Sequence, residues 1–312
     1  MTDSLPTVLV LMGGPDAERD VSLMSGSEVA AALRESGKYR VIEQVIDAPT
    51  AAELRAIVDT AGAEVIFPVL HGKWGEGGPL QDLLEVIGLP YVGSRPHAAA
   101  LAMDKLATKM LLGRFGVPTP QAQRLGGDAP CQIQPPLVLK PVNDGSSVDL
   151  RICRNAGEVE SARSNLRGRR QTLMAEEYIA GREVTVGIVL GNALPLIHIV
   201  PATAYYDYEA KYTRDDTKYI VNPDLPQSVV DECTRLALLA YERVGCRDVA
   251  RVDFLLDERG PWFLEINTMP GFTTHSLVPM AAAATGVDMP SLCSSLVEAA
   301  RNRKNDTVSA KN

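Results

Sequence analysis

With 312 residues, 46% of them hydrophobic and 22% charged, the chain has the make-up of a soluble globular protein of about two domains. A net charge of −8 with no long basic run excludes a nucleic-acid binder that works by neutralising phosphates, and no stretch nears the roughly 18 uninterrupted apolar residues of a membrane span. The start MTDSLPTVLVLMGG lacks a basic segment before its short apolar run, and the five cysteines never fall at C-x-x-C spacing, so a cytoplasmic protein without a disulfide framework or zinc site is expected.

The first third alternates short apolar runs with helical patterns, which predicts a parallel sheet with helices packed on it. TVLVLMGG reads as strand then turn, and VSLMSGSEVAAALRESG as a helix ending near Gly37. EVIFPVL is a second strand, and the loop HGKWGEGG follows it. Pro79 is placed to start the helix PLQDLLEVIG. HAAALAMDKLATKMLLGRFG reads as one further helix, leading into VPTP as a linker. His71 and Glu76 lie at the carboxyl end of a predicted parallel strand, where open α/β sheets bind ligands, although His71 fits equally well as a loop residue bonded to backbone. Glu18 enters a helix beside the first strand, where complementing the helix dipole already accounts for a negative charge.

The middle third is predicted as a smaller mixed α/β unit with PPLVLKPV, TLMAEEYIAG and EVTVGIVLG as strands. No G-x-x-x-x-G-K-[ST] occurs, so a P-loop is excluded, and Gly13-Gly14 does not complete G-x-G-x-x-G. In LVLKPVNDGSSV, Lys140 ends a strand, and Gly145, Ser146 and Ser147 form either an anion-binding loop or a plain flexible turn. The final third runs from the strand NALPLIHIV through YYDYEAKYTRDDTKY, which holds five of the nine tyrosines. That segment is either a lid that excludes water while offering hydrogen bonds or a mobile surface loop. A helix near SVVDECTRLALLAYERVG, a hairpin and a helix near MPSLCSSLVEAAR complete the body, and the end RNRKNDTVSAKN has too few apolar residues to join it.

The hairpin RVDFLLDERGPWFLEIN raises a question of charge. A three-residue loop, Glu258 to Gly260, pairs Asp257 with Pro261, Leu255 with Phe263, Asp253 with Glu265 and Arg251 with Asn267, all on one face. Val252, Phe254, Leu256, Trp262, Leu264 and Ile266 then fill the other face as core. Two carboxylates roughly 5 Å apart repel by about 3 kcal/mol at an effective dielectric near 20. Either a divalent cation such as Mg²⁺ sits between them or Arg251 neutralises Asp253 on a solvated edge.

These segments, in this order, resemble the D-alanine:D-alanine ligase family of ATP-grasp enzymes. The resemblance rests on GGPDAERDVSLMSG, LHGKWGEGGPLQDLLEVIGLPYVGS, MDK at 103–105, LKPVNDGSSV, YYDYEAKY, RVDFLLD, LEIN and MPGFTTHSLVPMAA, which span Val8 to about Leu296. It implies an α/β fold: an ATP-grasp fold preceded by an N-terminal open, mostly parallel α/β domain. The implied boundaries are 1–100 for the substrate domain, 101–190 for the central subdomain, 191–304 for the C-terminal subdomain with the metal and oxyanion site, and 305–312 for a disordered tail.

By the same resemblance, ATP phosphorylates the carboxylate of one D-alanine, and the amine of a second attacks the acyl phosphate to give D-alanyl-D-alanine, ADP and phosphate for peptidoglycan precursors. Lys105 and Lys140 are implied to hold phosphates with Gly145, Ser146 and Ser147, while Glu176, Glu177, Tyr178, Ile179 and Glu183 contact adenine and ribose. Asp253, Glu265 and Asn267 are the implied ligands of two Mg²⁺ or Mn²⁺ ions, with K⁺ a candidate activator and a homodimer the expected assembly. Glu18 is implied to bind the first ammonium in a triad with Ser146 and Tyr212, and His71 to assist at the first carboxylate. Lys211 belongs beside the transferring phosphate, and Arg251 with the N–H of Gly271 at the tetrahedral oxyanion. Ser276 and the Leu277 N–H belong at the second carboxylate. EAKY around Tyr212 resembles dipeptide-forming members, leaving a D-lactate or D-serine ligase, or a non-catalytic nucleotide-binding paralogue, as the alternatives. Two positions depart from the family pattern: Asp149 stands where Gly is usual, and Asp16 where Ser is commoner.

Overall fold

The computed structural model describes residues 5–126, 129–144, 149–167, 172–201 and 216–309. Gly145, Ser146, Ser147, Lys211 and Tyr212, and with them the predicted phosphate loop and most of the tyrosine-dense segment, lie outside the described residues.

The first unit is built on β1 (Thr7–Gly13), which pairs in parallel with β2 (Arg40–Ile46) on one side and β3 (Val65–Pro68) on the other. Every residue of β1 is buried, as expected of a central parallel strand covered on both faces. Leu9 and Leu11 pack against α2 (Ala51–Ala61) and α4 (Pro79–Ile87), with α3 (Gly72–Gly75) the short turn of helix before α4. Val8, Val10 and Met12 pack against α1 (Arg19–Glu35) and, from the far end of the chain, α10 (Met289–Ser309). Leu292, Cys293, Leu296 and Val297 of α10 are thus part of the first unit's core, although the sequence grouped them with the last. The backbone of α10 continues to Ser309, into the stretch expected as tail.

The single helix expected over 97–116 is two helices, α5 (Pro96–Met103) and α6 (Lys105–Gly113). Asp104 ends the first in an extended conformation, and its carboxylate accepts the Ala107 N–H at 2.8 Å as N-cap of the second. Apolar periodicity runs through the break unchanged, so only the capping residue marks it.

A four-stranded antiparallel sheet follows in the order β4 (Ala122–Leu125), β7 (Leu173–Glu177), β5 (Leu137–Pro141), β6 (Arg151–Cys153), with α7 (Ala156–Arg167) packed on it. The third sheet is also antiparallel, in the order β11 (Lys218–Val221), β10 (Ile197–Val200), β8 (Arg182–Val189), β12 (Val249–Asp257), β13 (Gly260–Asn267), with β9 (Asn192–Ala193) on the end of β8. The sequence grouped β8 with the central strands; its ladder partners are β10 and β12. The helices α8 (Gln227–Val244) and α9 (Leu277–Ala283) complete this unit. Cys233, Leu236 and Ala240 of α8 pack on Val184, Val186 and Phe254, together with Ala98 of α5 and Leu112 of α6.

The hairpin of β12 and β13 keeps the predicted acid pairing by an unpredicted route. Asp257 pairs with Gly260 across a two-residue turn, Leu256 with Pro261, Leu255 with Trp262 and Phe254 with Phe263. Gly260 at φ +124° supplies the backbone conformation that the tight turn needs. A bulge between Asp253 and Phe254 then leaves Leu264 unpaired, which restores Asp253 opposite Glu265 and Arg251 opposite Asn267. The expected core face is corrected accordingly. Phe263 is fully buried edge-on to Phe254, with ring centroids 6.2 Å apart, whereas Trp262 lies under the Arg259 guanidinium and Leu264 turns into a cavity beside Glu265.

Candidate active site

Between the four- and six-stranded sheets lies a cavity of about 350 Å³. One wall carries Lys140 from β5 and Glu176 from β7, followed by Glu177, Tyr178 and Ile179. The other carries Glu183 from β8, Asp253 and Leu255 from β12, and Leu264 and Glu265 from β13. Lys105, the first residue of α6, reaches in from the side. Nine residues singled out from sequence therefore line one space: Lys105, Lys140, Glu176, Glu177, Tyr178, Ile179, Glu183, Asp253 and Glu265. Arg182 and His198 line it too and were not foreseen. Asn267 lies next door, in a recess shared with Lys105, Glu265 and Glu76 that leads towards the first unit.

Charge in the cavity is closely paired. Lys140 Nζ stands 2.6 Å from Glu176 Oε2, and Lys105 Nζ 3.2 Å from Glu265 while donating to the Asp144 carbonyl at 2.7 Å. The Arg251 guanidinium forks onto both oxygens of Asp253 at 2.9 and 2.8 Å. Thr185 Oγ1 donates to the same carboxylate at 2.6 Å and Asn267 Nδ2 at 3.2 Å. Burial alone would lower the Lys105 ammonium, but the carboxylates of Glu265, then Asp144 and Glu18, together offset this and hold it above its usual range. Burial likewise works to raise Glu176, and the ammonium groups of Lys109 and Lys140 outweigh it, so Glu176 is held below the ordinary carboxylate range.

Lys109 escaped the sequence reading. Its Nζ stands 2.8 Å from Glu176 Oε1 and donates to the Phe263 carbonyl at 2.7 Å. The available signal was a second lysine one helical turn after Lys105, on the same face of a helix that is otherwise apolar there.

Beyond the recess, residues from distant segments converge below the carboxyl ends of β1 and β3. Glu18 is the N-cap residue of α1, and its carbonyl accepts the Ser22 N–H at 3.0 Å. His71 is 5% exposed, and burial pulls its pKa down against the opposing pull of the Glu18 carboxylate. Its Nε2 is buried without a hydrogen-bond partner among the described residues. Glu76 accepts the Gly72 N–H at 3.2 Å, and burial together with Glu18 pushes its pKa up to about 8. Arg251 acts electrostatically on both His71 and Glu76, which brings this cluster and the cavity to the same guanidinium.

On the far side of the cluster, a Cβ on Gly271 would sit 2.8 Å from Ser276 Oγ, so only glycine leaves that hydroxyl its place. Ser276 is the N-cap residue of α9, Leu277 its first residue, and the Ser276 Oγ accepts the Thr273 N–H at 2.9 Å. Ser25 of α1 accepts the Phe272 N–H at 3.1 Å and ties this loop to the first unit.

Both unusual positions have a structural account. Asp149 has φ +59°, a left-handed conformation that glycine adopts freely and aspartate more readily than most residues. Asp16 Oδ2 accepts the Trp74 N–H at 2.8 Å, joining the first glycine loop to the His71 loop.

The oxygen set of Asp253, Glu265 and Asn267 suits a hard cation completed by phosphate and water. Among the described residues no group of three or more His, Cys, Asp and Glu side chains gathers that could hold a metal ion. No helix among the described residues is long and apolar enough to cross a membrane.

Comparison with known proteins gives concordant matches. Residues 126–298 match the family model for the D-ala D-ala ligase C-terminus, and residues 43–94 the model for the N-terminus. The chain is 43% identical over 309 residues to a D-alanine–D-alanine ligase from Bordetella petrii, covering 95% of this chain and 93% of that protein. It is also 43% identical over 310 residues to one from Moorella thermoacetica, covering 94% and 98%. The crystal structure of D-alanine–D-alanine ligase from Bacillus anthracis complexed with ATP superposes with a TM-score of 0.84 at 30% identity, covering 97% of this chain and 100% of that one. A D-Ala:D-Ser ligase from Enterococcus faecalis shares the fold, with a TM-score of 0.81 at 24% identity and coverage of 95% and 100%.

Proposed function

Because the chain belongs to the D-alanine–D-alanine ligase family, we infer that the cavity between its two antiparallel sheets is where it joins D-alanine to D-alanine with cleavage of ATP to ADP and phosphate. The reaction is that of an ATP-dependent ligase, and the product serves peptidoglycan precursor synthesis, the role of this family. One observation carries the assignment of the site: Lys105, Lys140 and Glu176 share a single cavity with the opposed carboxylates Asp253 and Glu265.

The adenine and ribose fit the end of the cavity near Glu176, Tyr178, Ile179 and Glu183, with the phosphates towards Lys140 and Lys105. By the sequence resemblance, Gly145, Ser146 and Ser147 would add phosphate contacts. Asp253, Glu265 and Asn267 would hold Mg²⁺, which supplies positive charge against the phosphate oxygens. Glu18 is placed to pair with the ammonium of the first D-alanine. Glu76 is compatible with this role: burial, and next the neighbouring Glu18, push its pKa up to about 8, so it adds little negative charge beside Glu18 at neutral pH. A substrate carboxylate brought to Nε2 of His71 would favour protonation of that nitrogen against the burial that disfavours it.

Phosphorylation of that carboxylate makes a good leaving group, and attack by the second amine forms the C–N bond and expels phosphate. Arg251 and the Gly271 N–H would face the oxyanion of this step, where one donor is typically worth about 3 kcal/mol. Ser276 and the Leu277 N–H would hold the second carboxylate, and by the sequence resemblance Lys211 would serve the transferring phosphate and Tyr212 the first substrate's ammonium. The three subdomains, the two-metal count, K⁺ activation and a homodimeric assembly belong to the same proposal. The test is phosphate release from ATP and Mg²⁺ with and without D-alanine, then product analysis with D-serine or D-lactate competing. Release that does not depend on D-alanine would refute the reading, and preferential incorporation of a competitor would reassign the second substrate.

A further inference from the structure

Lys109 takes no part in the chemistry described so far, yet it joins the two walls of the cleft. It lies one turn after Lys105 in α6 but is only 3% exposed and does not line the cavity. Its ammonium contacts Glu176 Oε1 at 2.8 Å in the four-stranded sheet and the Phe263 carbonyl at 2.7 Å in the six-stranded sheet, and it sits 5.5 Å from the centroid of the Phe263 ring.

Glu176 is 2% exposed, and its two oxygens face two cations: Oε1 faces Lys109, and Oε2 faces Lys140 at 2.6 Å. These two cations differ in one respect. Lys140 lines the cavity and is within reach of a ligand's phosphates, whereas Lys109 is behind the wall and beyond them. If Lys140 were the sole counter-ion of Glu176, its transfer to a phosphate would strand an ionised carboxylate in the interior, which is strongly unfavourable.

We propose that Lys109 is the standing counter-ion of Glu176, a positioning residue that keeps this carboxylate paired and oriented so that Lys140 is released to the nucleotide's phosphates. The proposal rests on the reading that Lys140 and Glu176 belong to the nucleotide site. It states which of two neighbouring lysines moves on binding and which stays. A plain structural role, stapling α6 to Phe263, predicts the same fold but no dependence on the charge of Glu176.

The experiment is calorimetric titration of the full chain with ADP and Mg²⁺, beside steady-state kinetics with D-alanine. Lys109→Met is expected to weaken ADP binding at least roughly tenfold, since one partner of a buried charge pair is removed. Lys109→Arg is expected to retain binding, and the KM for D-alanine to stay within about twofold in both, because distant sites act independently. The deciding pair is Glu176→Gln against Lys109→Met with Glu176→Gln. With the carboxylate charge gone, removing Lys109 should change ADP affinity by no more than about twofold. The pair also decides the matter if Lys109→Met alone does not fold, because the double variant strands no carboxylate, and Lys140, which lines the cavity, loses its partner equally in both members of the pair.

A further loss of about tenfold in the double variant relative to Glu176→Gln, or unaltered ADP binding in Lys109→Met, overturns the proposal. Lys140→Met separates this failure from failure of the nucleotide-site reading. If Lys140→Met binds ADP as the parent chain does, Lys140 does not contact phosphate, and the site assignment falls together with the role argued for Lys109.

Discussion

Replacing Arg251 with methionine separates the pairing that the structure shows for it from the oxyanion role proposed above. Asp253 is 4% exposed, and the Arg251 fork covers both its oxygens at 2.9 and 2.8 Å. At such a distance and an effective dielectric near 20, the attraction is about 6 kcal/mol. Desolvation cancels part of that, and removing one partner of a buried pair costs about 3–5 kcal/mol. The Thr185 hydroxyl and the Asn267 amide stay on the carboxylate, so Arg251→Met should lose about 3 kcal/mol of unfolding free energy, at the low end of that range. Turnover should fall about 10²- to 10³-fold for the lost oxyanion donor. Adding Asp253→Asn removes the stranded charge, so the double variant should recover most of the stability and none of the turnover. Urea unfolding at pH 7 reads the first quantity, and D-alanine-dependent phosphate release reads the second. Unchanged stability in Arg251→Met would show that the fork is not a structural pair. Recovered turnover in the double variant would remove Arg251 from the chemical step and Asp253 from the proposed metal ligands.

Glu265→Gln should reduce turnover by at least about 10³-fold through lost metal affinity, with the far-ultraviolet spectrum unchanged; surviving activity would mean that the metal assignment is wrong. Glu76 has its pKa raised from 4.5 to about 8, so its contribution to stability is complete below pH 4.5 and is lost as pH climbs through about 8. Unfolding midpoints of the parent chain should therefore fall from pH 6 to 9 more steeply than those of Glu76→Gln, and equal slopes would contradict the burial argument. His71 is shifted the other way, below 6.5, so its contribution is complete above that value and disappears as the solution is acidified; His71→Gln should flatten the acid limb of the same profile. Asp248 is 3% exposed, takes both nitrogens of the Arg303 guanidinium at 2.5 and 2.9 Å, accepts the Gly93 N–H at 2.7 Å, and holds φ +65°. Asp248→Ala should cost about 4 kcal/mol in urea unfolding, and Asp248→Asn clearly less, because asparagine keeps an acceptor and tolerates the left-handed backbone.

The elements legible in the sequence are those whose pattern is local. β1 and β3 are short apolar runs buried on both faces, and α4 announces itself with Pro79 at its start and Gly88 at its end. β2 was missed because it is an edge strand whose residues are mostly exposed or half-buried, so neither alternation nor a continuous apolar run marks it. The break at Asp104 was missed because a capping residue lies inside an unbroken helical pattern. Motif resemblance supplied the cavity residues from segments far apart in the chain, and the geometry brings nine of them together. Lys109 could not be found this way, since its meaning depends on Glu176 and on a carbonyl 154 residues away.

The hairpin shows how a correct functional register can arise from an incorrect count. Shortening the turn by one residue shifts every pair between Leu256 and Phe254, and without compensation it would have sent Glu265 to the core face opposite Val252 and set Leu264 opposite Asp253. The bulge at Leu264 absorbs the shift, and what it protects is the position of one carboxylate. The charge question has a matching answer. Asp253 and Glu265 stand opposite each other because each already has its own cation, Arg251 on one and Lys105 on the other. Neutralisation by Arg251 and a site for a divalent ion are thus not rival explanations of the same acids. Under the roles proposed for Lys105 at phosphate and Arg251 at the oxyanion, binding Mg²⁺ and nucleotide together would exchange one set of partners for another, whereas Mg²⁺ alone would have to displace Lys105 and Arg251 with nothing to receive them. Metal affinity should therefore depend strongly on nucleotide, and titrating Mg²⁺ with and without ADP measures that dependence directly; equal affinities in the two titrations would show that the internal ion pairs do not oppose the metal.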